Sequence, residues 1–367
     1  MNNTQKRRNS SIELLRILSM ASVIGCHFFY WGGVLESAKF GTIEYAIYWA
    51  IDGLFFTCIN CFMLITGYFL SASKMRVSRL VKFWLQVLFY SVFCTFAAFA
   101  ITGDISIKTL ATAFVPLTTE QYWYATHYAL VICLVPMLNA LIQSLDKNSF
   151  KSGLIILTII FSFMPTFFVW ERDLLTSGRD YPWMIVLYLT GGYIRKYGIS
   201  IGRKESFIGF WICVLITGLL RTPLGMISMF IIGNDVLAGL FFRYNSITVF
   251  CGAVFLFNAM LQGKNDERKK AVLAIAPLSF AVYLVHDNPN IRSILWGSIP
   301  MTDIMAGGMV KTIIALCVII ISVFLVGCLI EKSRLLVAKV MHLDRLYVWI
   351  DELFLSKVTN VINKNRF

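Results

Sequence analysis

The chain contains ten apolar stretches of about 20 residues each, and these stretches constrain its fold more than any other feature. A helix of that length crosses roughly 30 Å of hydrocarbon. In lipid only α-helices and closed β-barrels satisfy all their backbone hydrogen bonds, and these stretches lack the alternation of barrel strands. The sequence therefore predicts an all-α polytopic membrane protein with about ten transmembrane helices. The predicted spans are 14–33, 45–70, 80–102, 122–144, 152–170, 181–197, 206–222, 244–262, 271–287 and 309–331.

The composition agrees with a membrane protein. Hydrophobic residues make up 58% of the 367 residues and charged residues only 14%, whereas about a quarter of the residues in a soluble domain are charged. The stretch 224–242 is also apolar, but Gly233, Asn234 and Asp235 interrupt it. This stretch is compatible with a re-entrant hairpin, a surface hairpin or an eleventh span.

The distribution of basic residues predicts the orientation of the chain. Cytoplasmic loops of membrane proteins are enriched in Lys and Arg. If the N-terminus is cytoplasmic and ten spans alternate, 25 of the 33 Lys and Arg residues lie on the cytoplasmic side and 8 on the outer side. Both termini are therefore predicted to be cytoplasmic. The dispersal of these residues excludes nucleic-acid binding as the reason for the net charge of +13.

The same reasoning divides the chain into three parts. Residues 1–13 form a basic cytoplasmic N-terminus, 14–331 form the membrane domain, and 332–367 form a cytoplasmic tail. The tail mixes charged and apolar residues at helical spacing, which predicts an amphipathic helix on the membrane surface.

Arg16 and His27 are two ionisable residues in the first predicted span. Eleven positions correspond to about three helical turns, so both side chains lie on one face, about 16 Å apart along the axis. Ionisable groups inside a span are costly and mark functional sites. Two structural interpretations remain open, since Arg16 could be an interfacial anchor paired with Glu13 and His27 could be a hydrogen-bonded core histidine.

Further histidines are predicted at the same depth as His27. The topology places His127, His286 and Asp287 in the outer half of the membrane as well. A histidine beside a carboxylate is a common arrangement for a general base near neutral pH. The spacing alone does not decide which of these histidines is catalytic.

Other polar residues have both structural and functional interpretations. Asn60 lies in the second span, where it could bind substrate or hydrogen-bond neighbouring helices. Arg79 and Lys82 lie beside a cytoplasmic loop, where they could fix topology or bind a phosphate-rich ligand. The nine cysteines are scattered through apolar stretches and lack the spacing of a metal site, so no metal is predicted.

Five motifs occur in order from the first span to the last. They are Arg16 followed after ten residues by His27, NCFMLITGYFL from Asn60, WYATHYALVICLVPMLNALI from Trp123, Tyr283 followed after two residues by His286, and LIEKS from Leu329. In this order they resemble the signatures of the membrane acyltransferase 3 family. The first segment is similar to the Gram-positive type of surface or capsular polysaccharide O-acetyltransferase. The chain departs from the family pattern at Asn60, Thr66 and Ser333, where Asp, Ser and Pro are usual.

The resemblance implies an O-acyltransferase in the bacterial plasma membrane. Its acyl donor would be acetyl-CoA from the cytoplasm, with no metal and no tightly bound cofactor. Its acceptor would be a hydroxyl of a surface or capsular polysaccharide or of a lipid-linked precursor. The other expected partner is membrane lipid, and the assembly could be a monomer or a homodimer.

The resemblance and the predicted depths assign roles to the candidate residues. His27 is the general base or acyl carrier, and Arg16, His286 and Asp287 complete the catalytic group. Arg16 also contacts the donor, together with Arg79 and Lys82 at its nucleotide end. The acceptor side comprises Asn60, Trp123, Tyr124, His127 and Tyr283. The alternative from a different class is a transporter or flippase that moves a glycan or lipid-linked intermediate without acyl transfer.

Overall fold

The computed structural model describes residues 9–73, 76–168, 177–263, 269–343 and 345–353. Three predicted segments lie partly outside the described residues: the N-terminus at 1–8, the fifth span at 169–170 and the tail at 354–367. Within the described ranges the secondary structure is helical and contains no β-strand. The predicted all-α fold class is confirmed.

The longer helices are numbered here in chain order. They are α1 (Ser10–Trp31), α2 (Ile43–Leu70), α3 (Val77–Thr102), α4 (Trp123–Ser144), α5 (Lys147–Phe167), α6 (Tyr181–Tyr197), α7 (Arg203–Ile232), α8 (Ile247–Leu261), α9 (Lys270–His286), α10 (Pro289–Ser298) and α11 (Gly308–Val340). Short helices at Val34–Ser37, Ile107–Ala113 and Met301–Ala306 lie in the connections.

A helix occupies each of the ten predicted spans, but their lengths differ. Among the described residues, seven helices are long and apolar enough to cross a bilayer, or eight if the bent pair α9 and α10 is one span. Helices α6 and α8 have only 17 and 15 residues, which corresponds to about 26 and 22 Å. A polytopic membrane protein is therefore established, while the count of ten spans stays a prediction.

The stretch 224–242 is not a separate span. Helix α7 continues through it to Ile232 as one unit of 30 residues, about 45 Å long and so longer than the hydrocarbon layer. Gly233 then ends the helix with φ 78°. A 3₁₀ turn at Val236–Gly239 packs back on α7, where the Leu237 N–H donates to Ser228 Oγ at 3.3 Å.

Helix α1 is the most buried of the long helices and lies in the centre of the bundle. Ile12, Leu15, Ile24 and Phe28 on α1 are at most 1% exposed. Elsewhere in the bundle α2 meets α6 at Gly67, where a Cβ atom would overlap the backbone of α6. Small residues at such crossings are typical of membrane helix packing.

A buried polar cluster joins α11 to α3. Glu331 is 2% exposed and accepts hydrogen bonds from Tyr90 Oη at 2.6 Å and Gln86 Nε2 at 3.1 Å. Arg334 donates two further bonds of 2.7 Å to the same carboxylate. The LIEKS motif therefore has a structural function, because Glu331 fixes the last long helix against α3.

The tail remains helical beyond the membrane domain. Helix α11 extends to Val340, and helix resumes over residues 345–353. Asp351 accepts hydrogen bonds from the Ser78 hydroxyl at 2.6 Å and the Ser78 backbone N–H at 2.9 Å. These bonds hold the pKa of Asp351 below its usual value. The carboxylate thus caps the N-terminus of α3 and fixes the tail there.

Candidate active site

Two histidines from opposite ends of the sequence meet near the end of α1. His27 Nδ1 lies 3.0 Å from His286 Nε2, and His286 Nδ1 lies 2.5 Å from the Val282 carbonyl oxygen. A carbonyl oxygen only accepts, so His286 carries its proton on Nδ1, and its Nε2 accepts from His27 Nδ1–H when both rings are neutral. The unprotonated nitrogen of His27 is therefore Nε2, which forms no hydrogen bond with any described residue.

Asp287 is the third member of this cluster. Its Oδ1 lies 3.8 Å from His27 Nδ1 and 3.3 Å from the Arg292 guanidinium. His286 and Asp287 are 1% and 5% exposed. The Asp287 carboxylate therefore lies between the His27 ring and the Arg292 guanidinium. We name His27, His286 and Asp287 the histidine cluster.

A sharp bend in the chain positions the histidine cluster. Helix α9 ends at His286 and α10 begins at Pro289, with 83° between their axes. Asn288 caps α10 because its side chain accepts from the backbone N–H groups of Asn290 and Ile291. Its amide also donates to Tyr122 Oη at 2.8 Å. The Asn-Pro pair thus fixes the corner at which the cluster is presented.

His27 lines two cavities of different character. The larger, which we name the wide cavity, has a volume of about 420 Å³ and five charged side chains in its lining. That lining comprises His27, Asp52, Arg179, Arg221, Asp287 and Arg292, with Trp31, Trp49, Trp123 and Tyr244 among its aromatic walls. The smaller, which we name the narrow chamber, has a volume of about 50 Å³. It is lined by His27, Met20, Val23, Ile59, Phe62, Trp123, Tyr124, Tyr244, Phe280 and Tyr283.

Three residues form the boundary between the wide cavity and the narrow chamber. His27, Trp123 and Tyr244 line both, and the rings of Trp123 and Tyr244 stack with centroids 5.7 Å apart. An imidazole at this boundary can reach a group in either space. Two molecules bound on opposite sides could therefore react at His27.

Two tyrosines in the lining of the narrow chamber have buried hydroxyl groups. Tyr124 Oη and Tyr283 Oη are buried, and no described residue forms a hydrogen bond with either within the 3.5 Å limit. Buried polar atoms normally have a partner. The hydroxyl groups of Tyr124 and Tyr283 are therefore candidate donors to a bound molecule.

Arg16 lies outside both cavities but close to the chamber. Its Nε is 3.8 Å from Glu13 Oε2, too far for a hydrogen bond, and its side chain is 36% exposed. Met20, one turn after Arg16 on the same face of α1, lines the narrow chamber, whereas the α1 residues that line the wide cavity begin at Cys26. Arg16 therefore neighbours this chamber at the opposite end from the wide cavity.

Arg79 and Lys82 lie at the start of α3, away from the histidine cluster. Arg79 lies 3.5 Å from Ser73 Oγ, and the Lys82 ammonium lies 4.5 Å above the ring of Tyr347 in the tail. Neither lines the wide cavity or the narrow chamber. The tail helix thus covers the surface that carries Lys82.

Asn60 and His127 are also outside the two cavities. Asn60 is 4% exposed and donates to the Tyr244 carbonyl oxygen at 2.6 Å, so it holds the boundary residue Tyr244 in place without lining either cavity itself. His127 Nε2 lies 3.8 Å from Glu120, and its ring stacks on Tyr181. Direct contact of Asn60 or His127 with an acceptor stays a prediction.

Sequence reasoning did not identify the arginines of the wide cavity. Arg179, Arg221 and Arg292 are among the eight basic residues that the predicted topology places on the outer side, and all three line the same cavity as His27. Asp52 is 2% exposed and also lines this cavity. Basic residues are rare on the outer side of a membrane protein, so the presence of these three arginines there was the sequence feature that could have identified them as site residues.

One of three comparisons with known proteins identifies a family for this chain. No group of three or more His, Cys, Asp or Glu residues in the described chain could hold a metal ion. No curated protein and no solved structure matches the chain. The acyltransferase 3 family model, described as an acyltransferase domain, matches residues 9–332. The chain therefore belongs to the membrane acyltransferase 3 family and is an acyltransferase.

Proposed function

We propose that the protein transfers an acetyl group from acetyl-CoA to a hydroxyl of a surface or capsular polysaccharide, or of its lipid-linked precursor. The position of His27 at the boundary between a small apolar chamber and a large cavity with charged side chains in its walls carries this proposal. The chamber suits a short acyl group, and the cavity suits a sugar. The cell is bacterial, the membrane is the plasma membrane, and the donor arrives from the cytoplasm.

The size of the narrow chamber supports acetyl as the transferred group. Its volume of about 50 Å³ is about a third of the roughly 150 Å³ of a cavity that holds benzene. An acetyl group therefore fills the chamber, and longer chains meet the walls. The walls are apolar except for His27 and the tyrosine hydroxyls, which suits a methyl group beside a thioester carbonyl.

The chemistry follows from the free nitrogen of His27. As general base, Nε2 removes the proton from the acceptor hydroxyl, whose oxygen attacks the thioester carbonyl carbon. The oxyanion accepts hydrogen bonds from Tyr124 and Tyr283. The carbon–sulfur bond then breaks, and the proton passes from His27 to the departing sulfur of coenzyme A. If His27 instead carries the acetyl group, the same Nε2 forms the transient bond.

His286 and Asp287 orient His27 in this mechanism. His286 accepts the Nδ1 proton of His27 and so directs its lone pair to Nε2. When His27 takes up a proton, Asp287 at 3.8 Å stabilises the positive charge. Arg292 holds Asp287 in place through its ion pair.

Three basic residues bind the donor in this proposal. Arg16 neighbours the narrow chamber and contacts the pantetheine or thioester region. Arg79 and Lys82 bind the phosphates of the nucleotide, since arginine and lysine are the usual phosphate ligands of proteins. Because Lys82 contacts Tyr347, the tail helix lies at the same donor surface.

The wide cavity receives the acceptor. Its volume of about 420 Å³ falls within the range of about 300–1,000 Å³ for small-molecule sites. Trp123 and Tyr244 offer aromatic faces for a sugar ring next to His27. An acceptor hydroxyl can therefore approach Nε2 from this side.

The experiment compares surface glycans from strains that differ only in this gene. NMR of the isolated glycan is expected to show O-acetyl groups in the parent strain and none in the deletion strain. His27→Gln is expected to lack them as well, while His342→Gln in the tail retains them. Normal acetylation with His27→Gln at normal protein level contradicts the proposed role of His27, and normal acetylation in the deletion strain contradicts the proposed function.

A further inference from the structure

The walls of the wide cavity carry more positive than negative charge. They contain three guanidinium groups, from Arg179, Arg221 and Arg292, and two carboxylates, from Asp52 and Asp287. Asp287 is paired with Arg292 at 3.3 Å. Among the described residues, no carboxylate lies within 4 Å of either of the other two arginines.

Neutral partners already hold Arg221. Its Nε donates to Tyr45 Oη at 3.2 Å and another of its nitrogens donates to the Ala238 carbonyl oxygen at 2.9 Å. Its guanidinium carbon lies 3.3 Å from the centre of the Trp49 ring. Arg221 therefore supplies a fixed positive charge, with part of its donor capacity used by the protein.

Arg179 is an exposed residue of the cavity wall and differs from Arg221 because no described residue accepts a hydrogen bond from its guanidinium. Its contacts within the described chain are with the ring faces of Trp123 at 6.0 Å and Tyr244 at 5.6 Å. It forms no hydrogen bond with any described residue. Arg179 therefore presents its hydrogen-bonding groups beside the two aromatic rings that border His27.

The backbone beside Arg179 is fixed by a close contact. Gly178 has φ 76°, and a Cβ atom at this position would lie 2.6 Å from the Asn245 nitrogen, so only glycine fits. The Tyr244 N–H donates to the Ser177 carbonyl oxygen at 3.2 Å. This turn ties Arg179 to the chain segment that supplies Tyr244.

Arg179 lines a second cavity as well as the wide cavity. A neighbouring cavity of about 400 Å³ contains Arg243 and Ser177 in its lining. The two cavities share Phe56, Arg179, Phe242 and Tyr244. A glycan longer than one sugar would therefore extend past Arg179 when one of its hydroxyls reaches His27.

We propose that the acceptor carries an anionic group, a phosphate or a carboxylate, close to the hydroxyl that is acylated, and that Arg179 binds this group. The identity of the occupant as an acyl acceptor rests on the proposed function. The planar guanidinium offers paired donors that match phosphate and carboxylate oxygens. Arg221 adds positive charge in the same cavity, which strengthens attraction for an anion. A neutral acceptor would leave the N–H groups of Arg179 without an anionic hydrogen-bond partner.

A binding experiment tests the inference independently of catalysis. The purified protein in nanodiscs is titrated with glucose 1-phosphate, glucuronate and glucose, and the tryptophan fluorescence is recorded, because Trp49 and Trp123 line the wide cavity. At least one anionic probe is expected to bind about 10- to 100-fold more tightly than glucose, as for hydrogen bonds to charged groups. Arg179→Gln is expected to abolish this preference, and Arg179→Lys is expected to retain part of it.

The control variant is Lys108→Gln, which removes one positive charge from an exposed side chain outside the cavity lining. It is expected to bind every probe as the parent protein does. Equal binding of anionic and neutral probes, no binding of any probe, or unchanged binding by Arg179→Gln overturns the inference.

A transfer experiment distinguishes the source of the anion and separates the inference from the proposed function. Acetyl transfer is measured to polyprenyl-phosphate-linked glucose, to a soluble trisaccharide that contains glucuronate, and to the matching neutral trisaccharide that contains glucose instead. Preference for the first places the anion in a lipid carrier, and preference for the second places it in the glycan. If no acceptor is acetylated while Arg179-dependent binding persists, the proposed function fails and the anion-binding site at Arg179 stands without its assignment to an acyl acceptor. If charged and neutral acceptors are acetylated equally and Arg179→Gln changes neither, the inference fails and the proposed function stands.

Discussion

Replacing Val23 by alanine is expected to allow the protein to use longer acyl donors. Val23 lines the narrow chamber and lies one turn before His27 on the same face of α1. The substitution removes two methyl groups from the wall beside the predicted position of the acyl group. The chamber, now about 50 Å³, would then have room for a propionyl group.

The magnitude follows from the size of one methylene group. In an apolar pocket one extra methylene changes discrimination by roughly 1–3 kcal/mol, or about 10- to 200-fold. The parent protein should therefore prefer acetyl-CoA over propionyl-CoA by that factor in kcat/KM. Val23→Ala should reduce the preference to less than about 10-fold. Its stability cost is about 1.6 kcal/mol, since each buried methyl group contributes about 0.8 kcal/mol.

The assay measures kcat/KM for acetyl-CoA and propionyl-CoA with one acceptor. Val186→Ala is the matched control, because Val186 is 1% exposed and lines neither the wide cavity nor the narrow chamber. It should lose comparable stability without a change in donor preference. If Val23→Ala keeps the donor preference of the parent protein, the assignment of the narrow chamber to the acyl group is wrong.

Three further predictions concern other parts of the molecule. Tyr283→Phe should lower kcat about 10²- to 10³-fold with little change in KM for acetyl-CoA, because it removes one hydrogen-bond donor to the oxyanion. Steady-state kinetics measures kcat and KM, and Tyr48→Phe is the control variant. Gly67→Ala should lower the melting temperature in detergent, because its Cβ would overlap the Tyr188 carbonyl and overpacking costs about 1–3 kcal/mol. Asp351→Asn should release the tail from α3 and expose it to limited proteolysis at pH 7. Hydrogen bonding lowers the pKa of Asp351, so the parent tail should stay protected at neutral pH and be released only as the pH falls below about 3.9 towards the lowered pKa.

Each of these three predictions has a contradicting outcome. A parent-like kcat for Tyr283→Phe removes its hydroxyl from the mechanism. An unchanged melting temperature for Gly67→Ala shows that the two helices can separate without cost. Equal proteolysis of Asp351→Asn and the parent protein shows that the cap does not hold the tail.

Much of the fold follows from local patterns in the sequence. The apolar stretches determine where helices form, because only helices satisfy the backbone in lipid over that length. The shared face of Arg16 and His27 follows from the helical period alone. The bend at Asn288 and Pro289 also has a local cause, since Pro fits the first turn of a new helix and Asn caps it.

The site depends on contacts that no local pattern specifies. His27 and His286 are 259 positions apart, and their 3.0 Å contact arises only when α1 packs against α9. Arg179 and Arg221 have no periodic relation to His27, so in sequence they resemble ordinary loop charges. Asn60 matches a family motif, but its hydrogen bond to the Tyr244 carbonyl shows a structural role that spacing could not reveal.

The release of coenzyme A by the purified protein tests the central claim most directly. The protein in nanodiscs is mixed with acetyl-CoA, and free coenzyme A is quantified by chromatography before and after a glycan acceptor is added. The parent protein and His342→Gln should release coenzyme A and acetylate the acceptor, whereas His27→Gln should be slower by about 10²- to 10⁴-fold, the contribution of a general base. A parent-like rate for His27→Gln would contradict catalysis at His27, and transport of the glycan by the parent protein without any release of coenzyme A would contradict acyl transfer itself.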